Sequence, residues 1–438
     1  MNPAFAWGVA TSAYQIEGAR GEDGKGDSIW DRFSDLGRLA DPGDVTCDHY
    51  HRLDEDLDLL ARLGVNSYRF SVAWTRVIPD GDGAVNQAGL DFYRRLVSGL
   101  VERGIEPCLT LYHWDLPQAL QEKGGWESRS TIDAFARYAS ITAENLGDDV
   151  GRWITHNEPW VSSFLGHLEG IFAPGLRGWD HALTAGHHML VSHGRATTAI
   201  RAALPDAQVG IALDCRPSYP SDDSAADANR RFDGFRNRWF FDPVFGLGYP
   251  EDMVAIYSSL GRLDAGMVKQ GDMEEIAVPT DFIGLNYYTT LPIDSAGIER
   301  EASEGPVGPN PPPGFTEMGW RVDPGGLTRF LERIAKEYSP ASILITENGA
   351  SYSDGPDDQG RIPDRRRIDY IASHIEAALA ADAPVDGYYV WSFMDNLEWL
   401  EGFSQRFGLV WVDHATGTRI PKDSYYWYRD RIASATSG

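Results

Sequence analysis

Short apolar runs alternate with longer amphipathic stretches along nearly the whole chain, and this alternation restricts the fold more than any other feature. Runs at 5–10, 67–73, 107–112, 153–156, 208–213, 282–286, 343–346 and 387–391 have the length and the β-branched and aromatic content of buried strands. Helical periodicity occupies 53–63, 89–103, 132–146, 181–204, 327–338 and 368–381, between them. A strand followed by a crossover helix places the next strand parallel to it. Eight such strands predict an α/β fold, a single (β/α)8 TIM barrel spanning residues 1–438. Length alone would suggest about three domains, but no linker and no internal repeat divides the chain.

The segments that leave the strands differ from those that enter them. Stretches 15–48, 214–233, 290–319 and 350–364 are long and rich in Gly, Pro and Asp, whereas 62–66 and 103–106 are short. A barrel builds its site from the loops at the carboxyl ends of its strands. The asymmetry therefore predicts extended loops at the C-terminal ends of the strands and identifies that face as the working one.

Composition removes whole classes of partner. A formal net charge of −26 opposes binding to nucleic acid or to an anionic membrane, both of which need a cationic face. Cys47, Cys108 and Cys215 are odd in number and widely spaced, so neither a zinc knuckle nor a disulfide framework is expected. The strand pattern begins at Ala4, and no run of ~18 apolar residues follows. Together with the thiols, this predicts a cytoplasmic protein. His49 with His51, and His187 with His188, suggest metal ligands, but no HExxH motif or carboxylate triad completes a site. No metal or cofactor is expected.

A polar or aromatic group stands where nearly every strand runs out: Gln15, Arg69, His113-Trp114-Asp115, Asn157-Glu158, Asn286-Tyr287-Tyr288, Glu347-Asn348 and Trp391. Two of these are carboxylates, in Thr155-His156-Asn157-Glu158-Pro159 and Ile345-Thr346-Glu347-Asn348-Gly349. A glutamate at a strand terminus also serves as a helix-start aid, a role that Pro159 fits. A pair of them across one mouth is the minimum equipment for splitting a glycosidic bond with retention.

The motifs also carry a resemblance. From Ala10-Thr11-Ser12-Ala13-Tyr14-Gln15-Ile16-Glu17-Gly18 the match runs through Tyr68-Arg69-Phe70-Ser71 and Tyr112-His113-Trp114-Asp115-Leu116-Pro117. It continues through Asn157-Glu158-Pro159, Thr346-Glu347-Asn348-Gly349 and Trp391-Ser392-Phe393-Met394-Asp395-Asn396 to Arg406-Phe407-Gly408-Leu409-Val410. In this order, end to end, the chain resembles glycoside hydrolase family 1, the β-glucosidase family.

The resemblance implies a retaining β-glucosidase that removes terminal non-reducing β-D-glucosyl residues from β-glucosides and short cellobiose-like oligosaccharides. Side activity on β-galactosides and β-fucosides and transglycosylation go with it. Glu347 corresponds to the nucleophile and Glu158 to the acid/base, with their carboxyls about 5 Å apart. Two carboxylates so close cannot both ionise easily. Arg69, as nucleophile support, favours charge on Glu347 and leaves the proton on Glu158. Gln15, His113, Trp114, Asn157 and Glu398 match substrate-binding positions, Trp391 and Trp399 a stacking floor and wall, and Phe407 a lining position. Asn286 and Tyr288 stand near the nucleophile, with the Tyr288 hydroxyl as its holder. Glu398 implies unphosphorylated sugars, since a carboxylate there repels a 6-phosphate. Trp320 matches an aromatic at the leaving-group entrance, with Trp160, Phe164 and Leu165 as further candidates. His156 and His167 either shape that entrance or pack in the core. A non-catalytic carbohydrate receptor would keep the barrel but lose one glutamate, and both are present.

Overall fold

The computed structural model describes residues 5–264, 266–295, 308–309 and 311–436. Within the loop at 290–319, residues 296–307 and 310 lie outside the described residues.

Eight strands form a closed parallel barrel: β1 (Ala6–Ala10), β2 (Ser67–Ser71), β3 (Glu106–Tyr112), β4 (Arg152–Asn157), β5 (Gln208–Cys215), β6 (Phe282–Tyr287), β7 (Ile343–Asn348) and β8 (Val385–Trp391). Each pairs with its neighbours in this sequence, and the register Ala6↔Gly387 through Ala10↔Trp391 closes the ring. Side chains alternate between two faces of each strand. Ala6, Ala10, Cys108, Ile154, Ala212 and Leu344 belong to the cluster that fills the interior, so this barrel has a packed core and not a channel. Val9, Tyr68, Phe70, Leu109 and Ile283 belong to the larger cluster shared with the surrounding helices.

The helix at Leu53–Leu63 has the bounds its periodicity predicts. Gln87–Glu102, Arg129–Leu146, Trp179–Ala203, Pro324–Tyr338 and Arg365–Ala380 begin two or three residues earlier than their apolar pattern. First turns hold mostly polar, Gly or Pro residues, which carry no apolar period. Pro324 illustrates this: its fixed φ suits the first helical position, and the Asp323 side chain accepts from the Gly326 N–H. Strands β4 and β7 also run past their apolar stretches, through Asn157 and Asn348. Their terminal polar side chains are buried with partners, so strand geometry continues where hydrophobicity stops.

Two devices fix the working end. Asp395, fully buried beyond β8, accepts from Lys422 Nζ at 2.8 Å, Arg406 Nη1 at 2.9 Å and Gly408 N at 2.9 Å, which ties the loop holding Glu398 and Trp399 to the chain that follows it. Gly349 lets the end of β7 lie against the end of β8, because a Cβ there would fall 1.7 Å from the Trp391 carbonyl oxygen. No helix among the described residues is long and apolar enough to cross a membrane.

Gly349→Ala is expected to destabilise the protein by at least about 1–3 kcal/mol through overpacking. A thermal unfolding midpoint equal to that of the wild type would contradict this contact.

Candidate active site at the mouth of the barrel

Glu347 is the penultimate residue of β7 and is held at both oxygens. Arg69 Nη1 donates to its Oε1 at 2.6 Å and the Tyr288 hydroxyl donates to its Oε2 at 2.7 Å. Arg69 stands mid-strand on β2 and reaches across the barrel. It also donates to the Thr346 carbonyl at 3.0 Å, to Thr110 Oγ1 at 3.2 Å and to Asn157 Oδ1 at 2.6 Å.

Glu158 is the first residue after β4, and its φ of 48° is a left-handed conformation rare for a residue with a side chain. The ladder holds it there, since its N–H donates to the Ala212 carbonyl on β5 at 2.9 Å. Asn286 Nδ2, from β6, donates to Glu158 Oε1 at 2.6 Å and to Asn157 Oδ1 at 2.9 Å, while its own Oδ1 accepts from Thr346 Oγ1 at 2.7 Å. One continuous network therefore joins the two glutamates: Glu347, Arg69, Asn157, Asn286, Glu158.

The two carboxyl groups stand in unlike fields. Burial, then the negative charges of Asp214 and Glu347, hold Glu158 well above the usual carboxylate range, with Asn286 and Arg69 pulling weakly the other way. Burial also raises Glu347, but Arg69, Tyr288 and Asn286 all favour its anion and offset much of that rise. Of the two, Glu347 has the surroundings that favour the anion more.

Both glutamates line one cavity of about 480 Å³. His113 Nε2 accepts from Asn157 Nδ2 at 3.1 Å, because Asn157 Oδ1 is already turned to Arg69 and Asn286. Burial and Arg69 keep the ring neutral, so its proton is on Nδ1, which has no partner among the described residues. Glu398 Oε2 also lacks one, and burial with the charges of Glu347 and Glu401 pushes this carboxyl up to about 8. Trp391 lies 5.8 Å from His113 and nearly parallel to it. Trp399 is wedged against Trp30 at 4.4 Å and Trp114 at 4.5 Å. A wall of this kind offers flat apolar faces beside unpaired polar atoms, which suits a ligand with hydroxyl rims and C–H faces.

Other candidates sit deeper. Gln15 donates to Asn396 Oδ1 at 3.1 Å and the Leu397 carbonyl at 2.8 Å, and accepts from Ser12 at 2.6 Å. It braces the segment leading to Glu398. Trp114 lines the cavity and donates its indole N–H to the Asn157 carbonyl at 2.9 Å. At the outer end, Trp320 packs against Tyr288 at 5.2 Å and Phe407 at 6.2 Å. Trp160 and Leu165 line the cavity, whereas Phe164 is fully buried, stacked behind Trp160 at 5.4 Å. His156 is a core residue among Phe135, Trp126 and Tyr112, bonded to Ser192 at 2.8 Å. His167 is bonded at Nδ1 to the Ser162 carbonyl at 2.9 Å and buried.

Sequence reasoning found the fifth strand but missed the polar group at its end. Asp214 stands there, paired with Arg236, and both line the cavity with Arg216. The signal was an acidic residue directly after an apolar run. Among the described residues no group of three His, Cys, Asp or Glu side chains is placed to hold a metal ion. His49 pairs with Asp56 at 2.8 Å and His187 with Asp272 at 2.9 Å, in separate parts of the fold.

Known proteins resemble this chain along nearly their whole length. The chain is 44% identical over 442 residues to "Beta-glucosidase A" of Acetivibrio thermocellus, covering 98% of this chain and 97% of that protein. It is 43% identical to a "Bifunctional beta-D-glucosidase/beta-D-fucosidase" of Bifidobacterium breve, with 98% and 97% covered. The solved β-glucosidase of Thermotoga maritima in complex with castanospermine superposes with a TM-score of 0.92 at 43% identity, over 99% of this chain and 98% of that one. The family model for glycosyl hydrolase family 1 matches residues 1–436, and with the eight-stranded barrel and its paired glutamates in view, the chain belongs to that family.

Proposed function

We propose that this protein is a retaining β-glucosidase, acting on terminal β-D-glucosyl residues of β-glucosides and short cellobiose-like oligosaccharides. The observation that carries this reading is the unlike treatment of two glutamates in one cavity: Glu347 is bonded to Arg69 and Tyr288, which favour its anion, and Glu158 is buried beside negative charge, which favours its protonated form.

Glu347 attacks the anomeric carbon while Glu158 gives its proton to the departing oxygen. The C–O bond to the aglycone breaks and a glycosyl ester forms. Esterification removes the Glu347 charge, one of the charges that hold the Glu158 proton. Glu158 then takes a proton from water as the water attacks the same carbon, and Glu347 leaves as the carboxylate. A second sugar hydroxyl in place of water gives transglycosylation.

Glu398 and the His113 N–H are the hydroxyl-binding groups, with Trp391 and Trp399 as the apolar walls and Gln15, Asn157 and Asn286 as the network behind them. Hydroxyls donating to Glu398 favour its anion, whereas a sugar phosphate beside it would not. Arg406 does not compensate, since it is turned onto Asp395 and the face of Trp411. The relative named for β-fucosidase activity supports some tolerance at the 6-position.

Incubation with a 2-deoxy-2-fluoro β-glucoside bearing a good leaving group should accumulate a covalent sugar on Glu347, located by peptide mapping. Label on another residue, or none on an active enzyme, would contradict the assignment. Glu398→Gln should lower kcat/KM for a β-glucoside roughly 10- to 100-fold, the worth of a hydrogen bond to a charged group. The β-fucoside, which has no 6-hydroxyl, should lose less. Equal losses on both would remove Glu398 from the 6-position.

A further inference from the structure

Double displacement needs two carboxylates, yet β5 brings a further one, Asp214, to the same cavity one residue before its end. Asp214 converges on Glu158 by two routes. The β5–β6 register sets Asp214 beside Asn286, whose side chain donates to Glu158 Oε1 at 2.6 Å. Glu158 N–H bonds the carbonyl of Ala212, which lies two residues before Asp214 and so on the same face of β5. The Asp214 and Arg236 side chains are only 10% and 7% exposed and form an ion pair at the cavity wall. The Arg236 guanidinium carbon also lies 3.3 Å from the ring centre of Trp160, two residues beyond Glu158.

We propose that Asp214 is a positioning residue for the transferred proton: its buried negative charge, attenuated by Arg236, holds the proton on Glu158 until the leaving oxygen takes it and draws the next one back from water in the second half of the reaction. The proposal rests on Glu158 being the acid/base. After burial, Asp214 is the largest influence raising Glu158, ahead of Glu347. The two charges differ in timing. Glu347 loses its charge when esterified, and Asp214 does not. In the glycosyl-enzyme, Asp214 therefore sustains the basicity with which Glu158 activates water.

The other charged or titratable groups around Glu158 come from every neighbouring element. Arg69 on β2 is bonded to Glu347 on β7. His113 after β3 is neutral, Tyr288 after β6 is bonded to Glu347, Glu398 follows β8, and Cys215 at the end of β5 is a thiol that burial pushes up. Arg216 after β5 lies over Trp320, and Glu169 lines the outer cavity. Changing Asp214 or Arg236 alters none of their own charges.

The test is the pH dependence of kcat/KM on an alkyl β-glucoside, whose poor leaving group demands the acid. Asp214→Asn should move the alkaline limb down by about half to one pH unit, and Asp214→Glu should restore it. Arg236→Met should move it up, because Asp214 then loses its ion-pair partner. Deglycosylation, followed as decay of the 2-fluoroglucosyl-enzyme, should slow in Asp214→Asn. Unmoved limbs, or limbs moving the same way in Asp214→Asn and Arg236→Met, would overturn the proposal. Glu158→Ala on an activated aryl glucoside separates the two readings. If its alkaline limb persists, the assignment of Glu158 fails. If it disappears while Asp214→Asn still behaves as wild type, only the role of Asp214 fails.

Discussion

The guanidinium of Arg69 is fully buried, and the rest of the site is arranged around it. From β2 it bonds to groups on β3, β4 and β7: Thr110, Asn157, Thr346 and Glu347. An unpaired ion at that depth would cost several kcal/mol, so the cation and the Glu347 carboxylate each require the other. The planar fork of arginine also fixes directions. It turns Asn157 Oδ1 inward, which turns Asn157 Nδ2 to His113, which in turn puts the histidine proton on Nδ1. The position of one proton in the cavity wall thus follows from one guanidinium on the neighbouring strand.

The same cation separates two chemically identical residues. Glu158 and Glu347 are both buried glutamates at strand ends. Glu347 touches a cation and a phenol. Glu158 receives one amide and faces Asp214 and Glu347. Division of labour needs no difference in residue type, only barrel closure that brings a different set of neighbours to each. The ladder contributes as well, since the left-handed backbone at Glu158 persists only because β5 holds its N–H.

Much of this was legible in the sequence because burial and strand geometry leave a periodic mark. All eight barrel strands and the polar residues at most of their ends can be read from alternation and loop length, and the family resemblance names Glu158, Glu347, Arg69 and Tyr288. What could not be read was depth. Gln15 bonds to the backbone before Glu398, and Phe164 packs behind Trp160, positions that residue type alone does not reveal. His156 and His167, suggestive beside a catalytic motif, are core histidines with backbone or hydroxyl partners. Asp214 escaped because its partner Arg236 lies on a helical turn 22 residues later, a spacing with no period to betray it. Helix starts lie earlier than the apolar pattern predicts for a related reason: first turns hold mostly polar, Gly or Pro residues, which leave no apolar period.

The central claim is that burial, reinforced by the charges of Asp214 and Glu347, keeps the proton on Glu158. Titration of carboxyl-13C-labelled glutamate by NMR, with Glu158 and Glu347 assigned through their Gln variants, measures this directly. The account predicts that Glu158 titrates well above Glu347, and that it falls once Glu347 carries a 2-fluoroglucosyl ester. A Glu347 that titrates above Glu158, or a Glu158 unmoved by the ester, would contradict it.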